Sequence, residues 1–270
     1  MLDVVAVLAA NFAVLMSAMV LLWLISIVIR DVSFIDSFWA AGFVLVAGVT
    51  YALTPEGEEG RKLLLLAITA VWGVRLAVYL FWRWRKEGAD KRYVALLKRA
   101  DGSPHLFSLR KVFLLQGVLL WVVSLPVQLG QIPAGPRPGF LAGLGLALAV
   151  VGFIFESVGD FQMARFKADP ANAGKVMDRG LWRYTRHPNY FGDACVWWGL
   201  FLIAAETGLG LLSVVGPALL TFILVKWSGA ALLERRLRRS RPDYESYIRR
   251  TSGFIPMPPR RDRSTSTDAA

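Results

Sequence analysis

Residues Val4–Ile29, VVAVLAANFAVLMSAMVLLWLISIVI, run for 26 positions without one charged side chain. A helix rises about 1.5 Å per residue, so this run more than spans the ~30 Å hydrocarbon core of a bilayer. Six further apolar runs follow, at 34–53, 63–82, 112–129, 140–161, 190–205 and 209–233. The sixth is short and the first long. Together they predict an all-α, polytopic membrane protein of about seven transmembrane helices. The first run has no basic residue before it, carries Asp3 instead, and exceeds the ~7–15 residues of a signal-peptide core. It is read as a retained helix. Composition agrees: 55% of residues are hydrophobic and 19% charged, with mean hydropathy +0.47, too apolar for a water-soluble domain.

The charges divide by side. Of 31 Lys and Arg, 26 fall in the segments that follow spans one, three, five and seven, while the opposite segments hold only Arg61, Lys62 and Arg137. Arg75 and Lys226 lie inside runs. Lys/Arg excess marks the cytoplasmic side, so the N-terminus is predicted outside and the C-terminus cytoplasmic. An even number of spans would scatter these charges to both sides. Much of the net charge of +11 is then topology signal and attraction to membrane lipids. Nucleic acid is not expected as a partner, because no soluble domain or recognition motif presents a basic stripe. Cys195 is the single cysteine and His105 and His187 the two histidines, so neither a disulfide nor a metal centre is expected.

Residues 1–259 are read as one transmembrane helical domain and residues 260–270, RRDRSTSTDAA, as a disordered tail. Gly143, Gly145, Gly152 and Gly159 put small residues along the fifth span, which suits close helix packing. The loops TPEGEEG (54–60) and QIPAGPRPG (131–139) are read as turns without chemistry.

The densest polar cluster is GLWRYTRHPNYFGD, residues 180–193. Pro188 suits a first helical turn, so a helix is predicted to start near His187. Arg183, Arg186 and His187 then crowd its N-terminus, where free N–H groups and the positive dipole end favour an anion such as a phosphate. The bland alternative is arginine snorkelling at a lipid interface. Asn189 and Asp193 stand four apart on one helical face, with Tyr190 three before Asp193. Ionisable groups within a span are costly and point to function, although hydrogen bonding between helices would also use them. Glu156 and Asp160, again four apart, end the fifth span, followed by Arg165 and Lys167. Carboxylates beside a phosphate site fit a nucleotide, which brings hydroxyl and amide donors; a structural network with the arginines is the other reading.

GLWRYTRHPNYFGD, the apolar helix after it, and LLERRLRRSRPDYESYIRRTSGFIP resemble the steroid 5α-reductase C-terminal family in its bacterial DUF1295 branch. VSFIDSFWAAGFV and VWGVRLAVYLFWRWRKEG resemble the earlier part of that pattern. The resemblance implies a seven-helix enzyme of the bacterial inner membrane that binds NADPH through its C-terminal half, about 140–259. It would deliver hydride to an activated C=C bond of a hydrophobic lipid or steroid-like substrate. Asn189 and Asp193 would contact the nicotinamide end, while Asp160, Lys167, Arg183, Arg186, His187 and Tyr190 would hold ribose and phosphates. Glu156, Arg165, Tyr184, Glu234 and Arg235 complete the expected cofactor set. The chain departs from steroid reductases at two places: Trp72 stands where they polarise an enone with tyrosine, and Glu234–Arg235 replaces an Arg/His pair. Asp36 and Arg75 are the candidates for catalysis in the N-terminal half, Asp36 as proton donor or as the salt-bridge partner of Arg75. The loop with Lys91, Arg92 and Tyr93 could close over the cofactor.

Two other functions fit the same residues. Isoprenylcysteine carboxyl methyltransferases share an R-H-P-x-Y-x-G core, met here by Arg186, His187, Pro188, Tyr190 and Gly192. Asp193 directly after Phe191-Gly192 favours the reductase branch. A non-catalytic lipid-binding membrane protein is the second alternative.

Overall fold

The computed structural model describes residues 3–227 and 229–260. Except for Arg260, the tail expected to be disordered lies outside them. The helices are α1 (Val4–Ile29), α2 (Ile35–Leu53), α3 (Glu59–Glu87), α4 (Lys91–Leu97), α5 (Pro104–Val123), α6 (Leu125–Gln131), α7 (Phe140–Ala168), α8 (Pro188–Ala204), α9 (Gly208–Ser240) and α10 (Tyr244–Arg250). No strand forms among the described residues. Helices α1, α2, α3, α5, α7 and α9 are each long and apolar enough to cross a membrane. With 17 residues, α8 is the short run of the sequence and falls just under that length. The chain is thus an all-α, polytopic membrane protein. Large apolar side chains stay exposed on the outer faces of these helices, among them Val71, Val74, Val78, Val150 and Ile154, as expected of surfaces whose solvent is lipid.

The chain forms two compact units, Met1–Leu146 with Leu200–Gly216 and Ala147–Gly199 with Pro217–Ala270. Inside the first, Asn11 of α1 donates from Nδ2 to Thr50 Oγ1 of α2 (2.8 Å) and to Gln128 Oε1 of α6 (3.1 Å). Gln128 Nε2 in turn donates to Ser124 Oγ (2.8 Å) and to the Trp121 carbonyl (2.9 Å). Interhelical amide and hydroxyl bonds of this kind hold membrane helices together where burying apolar surface does not. The break between α5 and α6 follows from Pro126, which has no N–H to donate to the preceding turn.

One end of this unit is closed by Arg61, which is 0% exposed. It donates from Nε to the Gly130 carbonyl (2.7 Å), from Nη1 to Pro136 O (2.5 Å) and from Nη2 to Pro133 O. Glu58 caps α3 by accepting from Arg61 N (2.7 Å), and Glu206 accepts from the amides of Gly139 (3.0 Å) and Ala142 (2.8 Å). The loops 54–60, 131–139 and 205–207 therefore share one end. At the other, Trp23 Nε1 donates to His105 O (2.9 Å), Trp84 Nε1 to Asp31 (2.8 Å) and Asp90 N to Ser33 Oγ (3.1 Å).

In the second unit, Arg186 N donates to Ser252 O (2.9 Å), Thr185 Oγ1 to Phe254 O (2.8 Å) and Met257 N to Tyr184 O (2.9 Å). The segment before α8 and the segment after α10 lie side by side, so the chain between them leaves and returns to one end.

Candidate functional site

α7 and α8 meet backbone to backbone. A methyl group at Gly192 would lie 2.5 Å from both the Glu156 amide nitrogen and the Gly152 carbonyl oxygen, and one at Gly159 would press on the Pro188 ring at 3.1 Å. Of the glycines read as a packing stripe, Gly152 and Gly159 thus serve the α7–α8 contact, while Gly143 faces open space. Pro188 begins α8, as the sequence predicts. Trp182, buried just before it, donates from Nε1 to Gly159 O (3.0 Å) and Leu181 N donates to Gln162 Oε1 (3.0 Å), which fixes the GLWR turn on α7.

This contact sets two pairs of polar residues against each other. Glu156 and Asp160, one turn apart on α7, are 3% and 6% exposed. Asn189 of α8 donates from Nδ2 to Asp160 Oδ1 at 3.3 Å. One turn further into α8 stands Asp193, whose Oδ1 is buried and has no hydrogen-bond partner among the described residues. A buried carboxylate oxygen without a donor is costly, and it accepts whatever donor a ligand brings.

A second group surrounds Glu234. Arg186 donates to it from Nε (2.8 Å, to Oε1) and from Nη2 (3.3 Å, to Oε2), and His187 Nε2 lies 2.9 Å from Oε1. The remaining guanidinium nitrogen, Nη1, donates to the carbonyls of Thr251 (2.6 Å) and Ile248 (3.3 Å). His187, 1% exposed, stacks on Tyr190 with ring centroids 5.3 Å apart and planes 8° apart. Every nitrogen of Arg186 is engaged, and its place in the fold is that of a clamp joining the start of α8 to α9, to α10 and to the residue after it. Behind it, Tyr247 donates to the Trp182 carbonyl at 2.5 Å. Burial, with Tyr244 beside it, pushes this phenol far above its ordinary pKa, so it stays a neutral donor.

The expected cofactor residues thus separate into three sets. Glu156, Asp160, Asn189 and Asp193 come together; so do Arg186, His187, Tyr190 and Glu234; Arg165, Lys167, Arg183, Tyr184 and Arg235 are exposed. Asp36 and Arg75 belong to the first unit. Asp36 accepts from Tyr93 O–H (2.5 Å) and from Arg92 Nη2 (3.1 Å), and Gln116 Nε2 donates to the Tyr93 oxygen (2.9 Å). The Arg75 guanidinium lies 5.4 Å from the Tyr79 ring centroid. Burial and the Asp36 charge raise the Tyr93 phenol well above its usual range. Burial would lift Asp90 as well, yet hydrogen bonds from Arg92 outweigh it and hold Asp90 below the ordinary carboxylate value. Reading along the sequence missed Gln116 and the carbonyls of Ile248 and Thr251 as partners. The Arg92–Tyr93 pair, two residues after Asp90, was the available signal for the Asp36 cluster.

Among the described residues no group of three or more His, Cys, Asp or Glu side chains could hold a metal ion. The chain is similar to the uncharacterized protein C594.04c of Schizosaccharomyces pombe, with 23% identity over 265 residues covering 87% of this chain and 75% of the yeast protein. No solved structure matches it. The family model described as a protein of unknown function, DUF1295, matches residues 22–251, and with most of the chain inside that match, including all of α2 through α8 and the Arg186–Glu234 clamp, the protein belongs to the DUF1295 family.

Proposed function

We propose that this DUF1295 protein is an NADPH-dependent membrane reductase that saturates an activated C=C bond of a hydrophobic lipid or steroid-like substrate. The reading includes an external N-terminus, a cytoplasmic C-terminus and residence in a bacterial inner membrane. The observation that carries it is Asp193 Oδ1, buried without a donor one turn below Asn189. A primary carboxamide such as that of nicotinamide offers the N–H this oxygen lacks, and Asn189 has both a donor and an acceptor for the same group. NADPH, when bound, supplies the hydride.

The protein's part is to position and to exclude water. The Asn189–Asp160 bond fixes the Asn189 side chain, and Glu156 and Asp160 offer acceptors to ribose hydroxyls. The Gly152–Gly192 contact closes the wall between α7 and α8 behind them. Arg186, occupied by Glu234, keeps the start of α8 in place. Hydride addition to one carbon requires a proton on its neighbour, and water or a protonated acid at that carbon completes the step.

Mass spectrometry of the detergent-purified protein tests the proposal. Co-purified NADPH, or saturable NADPH binding that Asp193→Asn weakens, supports it; S-adenosylmethionine in its place supports a methyltransferase. That second reading has one observation in its favour, the complete Arg186-His187-Pro188-x-Tyr190-x-Gly192 core with Glu234 paired to its first two members. Binding of neither cofactor supports a non-catalytic lipid-binding protein.

A further inference from the structure

Two segments leave the spans at one end of the second unit: residues 169–187, between α7 and α8, and residues 241–260, after α9. They enclose a cleft of two adjoining lobes. The larger, about 450 Å³, is lined by four arginines, Arg179, Arg183, Arg250 and Arg260, and by a single carboxylate, Asp178. The smaller, about 330 Å³, shares Asp178, Arg179 and Arg250 and adds Lys175, Asp243 and Ser246. Asp160, Asn189, Asp193 and Glu234 line neither lobe.

Main-chain bonds hold the arginines together. Arg260 N donates to Arg250 O (2.9 Å), and Tyr247 ties α10 to the turn that carries Arg179 and Arg183 through its bond to Trp182 O. That turn is sharpened at Gly180, whose φ of +59° favours glycine. Asp178 is spoken for by Arg250, 3.7 Å away. Arg179, Arg183 and Arg260 have no other carboxylate in the lobe. Arginines that merely snorkel from helix ends are free to spread apart, whereas these come from three segments whose backbones are pinned. Each guanidinium presents a fork of N–H groups that matches a phosphate, and this lobe is lined by four.

The second lobe and the surroundings narrow the ligand. Asp243 and Ser246 accept from hydroxyl or ammonium groups, so the phosphate should carry a substituent with such donors. Ile255 and Met257, 62% and 55% exposed, stand on the segment that leads into Pro259 and Arg260. Large apolar side chains beside arginines suit the headgroup layer of a membrane. We infer that this cleft binds a phosphate whose substituent carries hydroxyls or an amine, either a phospholipid headgroup or a soluble phosphoester. The inference does not rest on the reductase reading. Arg183 alone is shared with the cofactor set.

The full chain in nonionic detergent is titrated with dihexanoyl phosphatidylglycerol and, separately, with glycerol 1-phosphate, and the thermal unfolding midpoint is followed. Dihexanoyl phosphatidylcholine sets the baseline for the lipid arm. A rise with the phosphatidylglycerol alone assigns a lipid headgroup, and a rise with glycerol 1-phosphate as well assigns a soluble phosphoester. In either case Arg179→Gln/Arg260→Gln should need at least tenfold more ligand for the same rise. Arg260→Glu, a single change in the exposed segment, gives the same comparison should the double variant fail to fold. No rise in either arm, or the same titration in the variants, overturns the inference. Neither probe contains nicotinamide and neither altered arginine belongs to the cofactor cluster, so NADPH binding and this cleft can fail independently.

Discussion

Asp36 and Asp193 both sit near the start of a helix in a membrane protein, and their surroundings differ in one respect. Asp36 is met by a phenol and a guanidinium, and the phenol is itself held by Gln116. Asp193 has Asn189 and Asp160 within a turn or two, yet those two bond to each other and leave its Oδ1 without a donor. A satisfied carboxylate holds elements in register; an orphaned one raises the energy of the empty site and lowers it again when a donor arrives. Neutral buried atoms without partners occur elsewhere, at Asn11 Oδ1 and Gln131 Oε1, but an amide oxygen costs less to leave unpaired than a carboxylate. The difference is why the proposed function seats its cofactor beside the second cluster.

The largest effect expected is at Arg186. Its removal in Arg186→Ala strands the mostly buried Glu234 carboxylate and should destabilise the protein by about 3–5 kcal/mol. Thermal unfolding of the purified variant measures it, and Glu234→Gln in the same chain should restore part of the loss. If Arg186→Ala unfolds normally but binds phosphate ligands poorly, the clamp assignment is wrong. Next, Tyr93→Phe deletes the donor to Asp36 and should cost about 1–3 kcal/mol without changing NADPH affinity. A selective loss of NADPH binding there would erase the contrast between the two clusters. Asp193→Asn should do the reverse: unliganded stability unchanged or raised, and NADPH weakened at least tenfold, a loss of about 1.4 kcal/mol or more. Equal affinity in variant and parent breaks the reductase proposal at its central residue.

The smallest effect is one of pH. Asp90 is held below its ordinary value by Arg92, so its contribution is complete above the unfolded carboxylate pKa of about 3.9 and is lost as pH falls through the lower folded value. Acid titration of the unfolding midpoint should therefore show a decline below about pH 4 that is shallower in Asp90→Asn.

The apolar runs carried most of the fold. Val4–Ile29 appears as a helix with the bounds its hydropathy set, and α2 begins one residue later than expected. Hydropathy fell short where helices continue into charged turns: α3 extends from Glu59 to Glu87 and α7 to Ala168, because a helical backbone satisfies itself as well in a headgroup layer as in hydrocarbon. It also misplaced the fourth span, whose first turns carry Arg110 and Lys111 and whose expected end is cut off at Ser124 by Pro126. At the candidate site, one-turn spacing was legible and paired Glu156 with Asp160 and Asn189 with Asp193. Partners far apart along the chain were not. Nothing within 180–193 reveals that Arg186 will be claimed by Glu234, 48 residues on, and by two carbonyls after it; side-chain spacing cannot register a bond to backbone.

The cage around Arg61 has a consequence for the order in which the chain is made. Its three carbonyl acceptors belong to residues 69 to 75 positions downstream. At about 5–20 residues per second, the ribosome supplies them roughly 4–15 s after Arg61 itself. During that interval the rest of α3 and α4 to α6 are made, while the guanidinium at the turn between α2 and α3 must remain hydrated or rest among lipid phosphates. Pro136 completes the cage, and a nascent chain shorter than this holds an arginine that has not yet found its end of the protein. The loop 131–139, read from sequence as a bare turn, is the piece that lets the earlier hairpin settle.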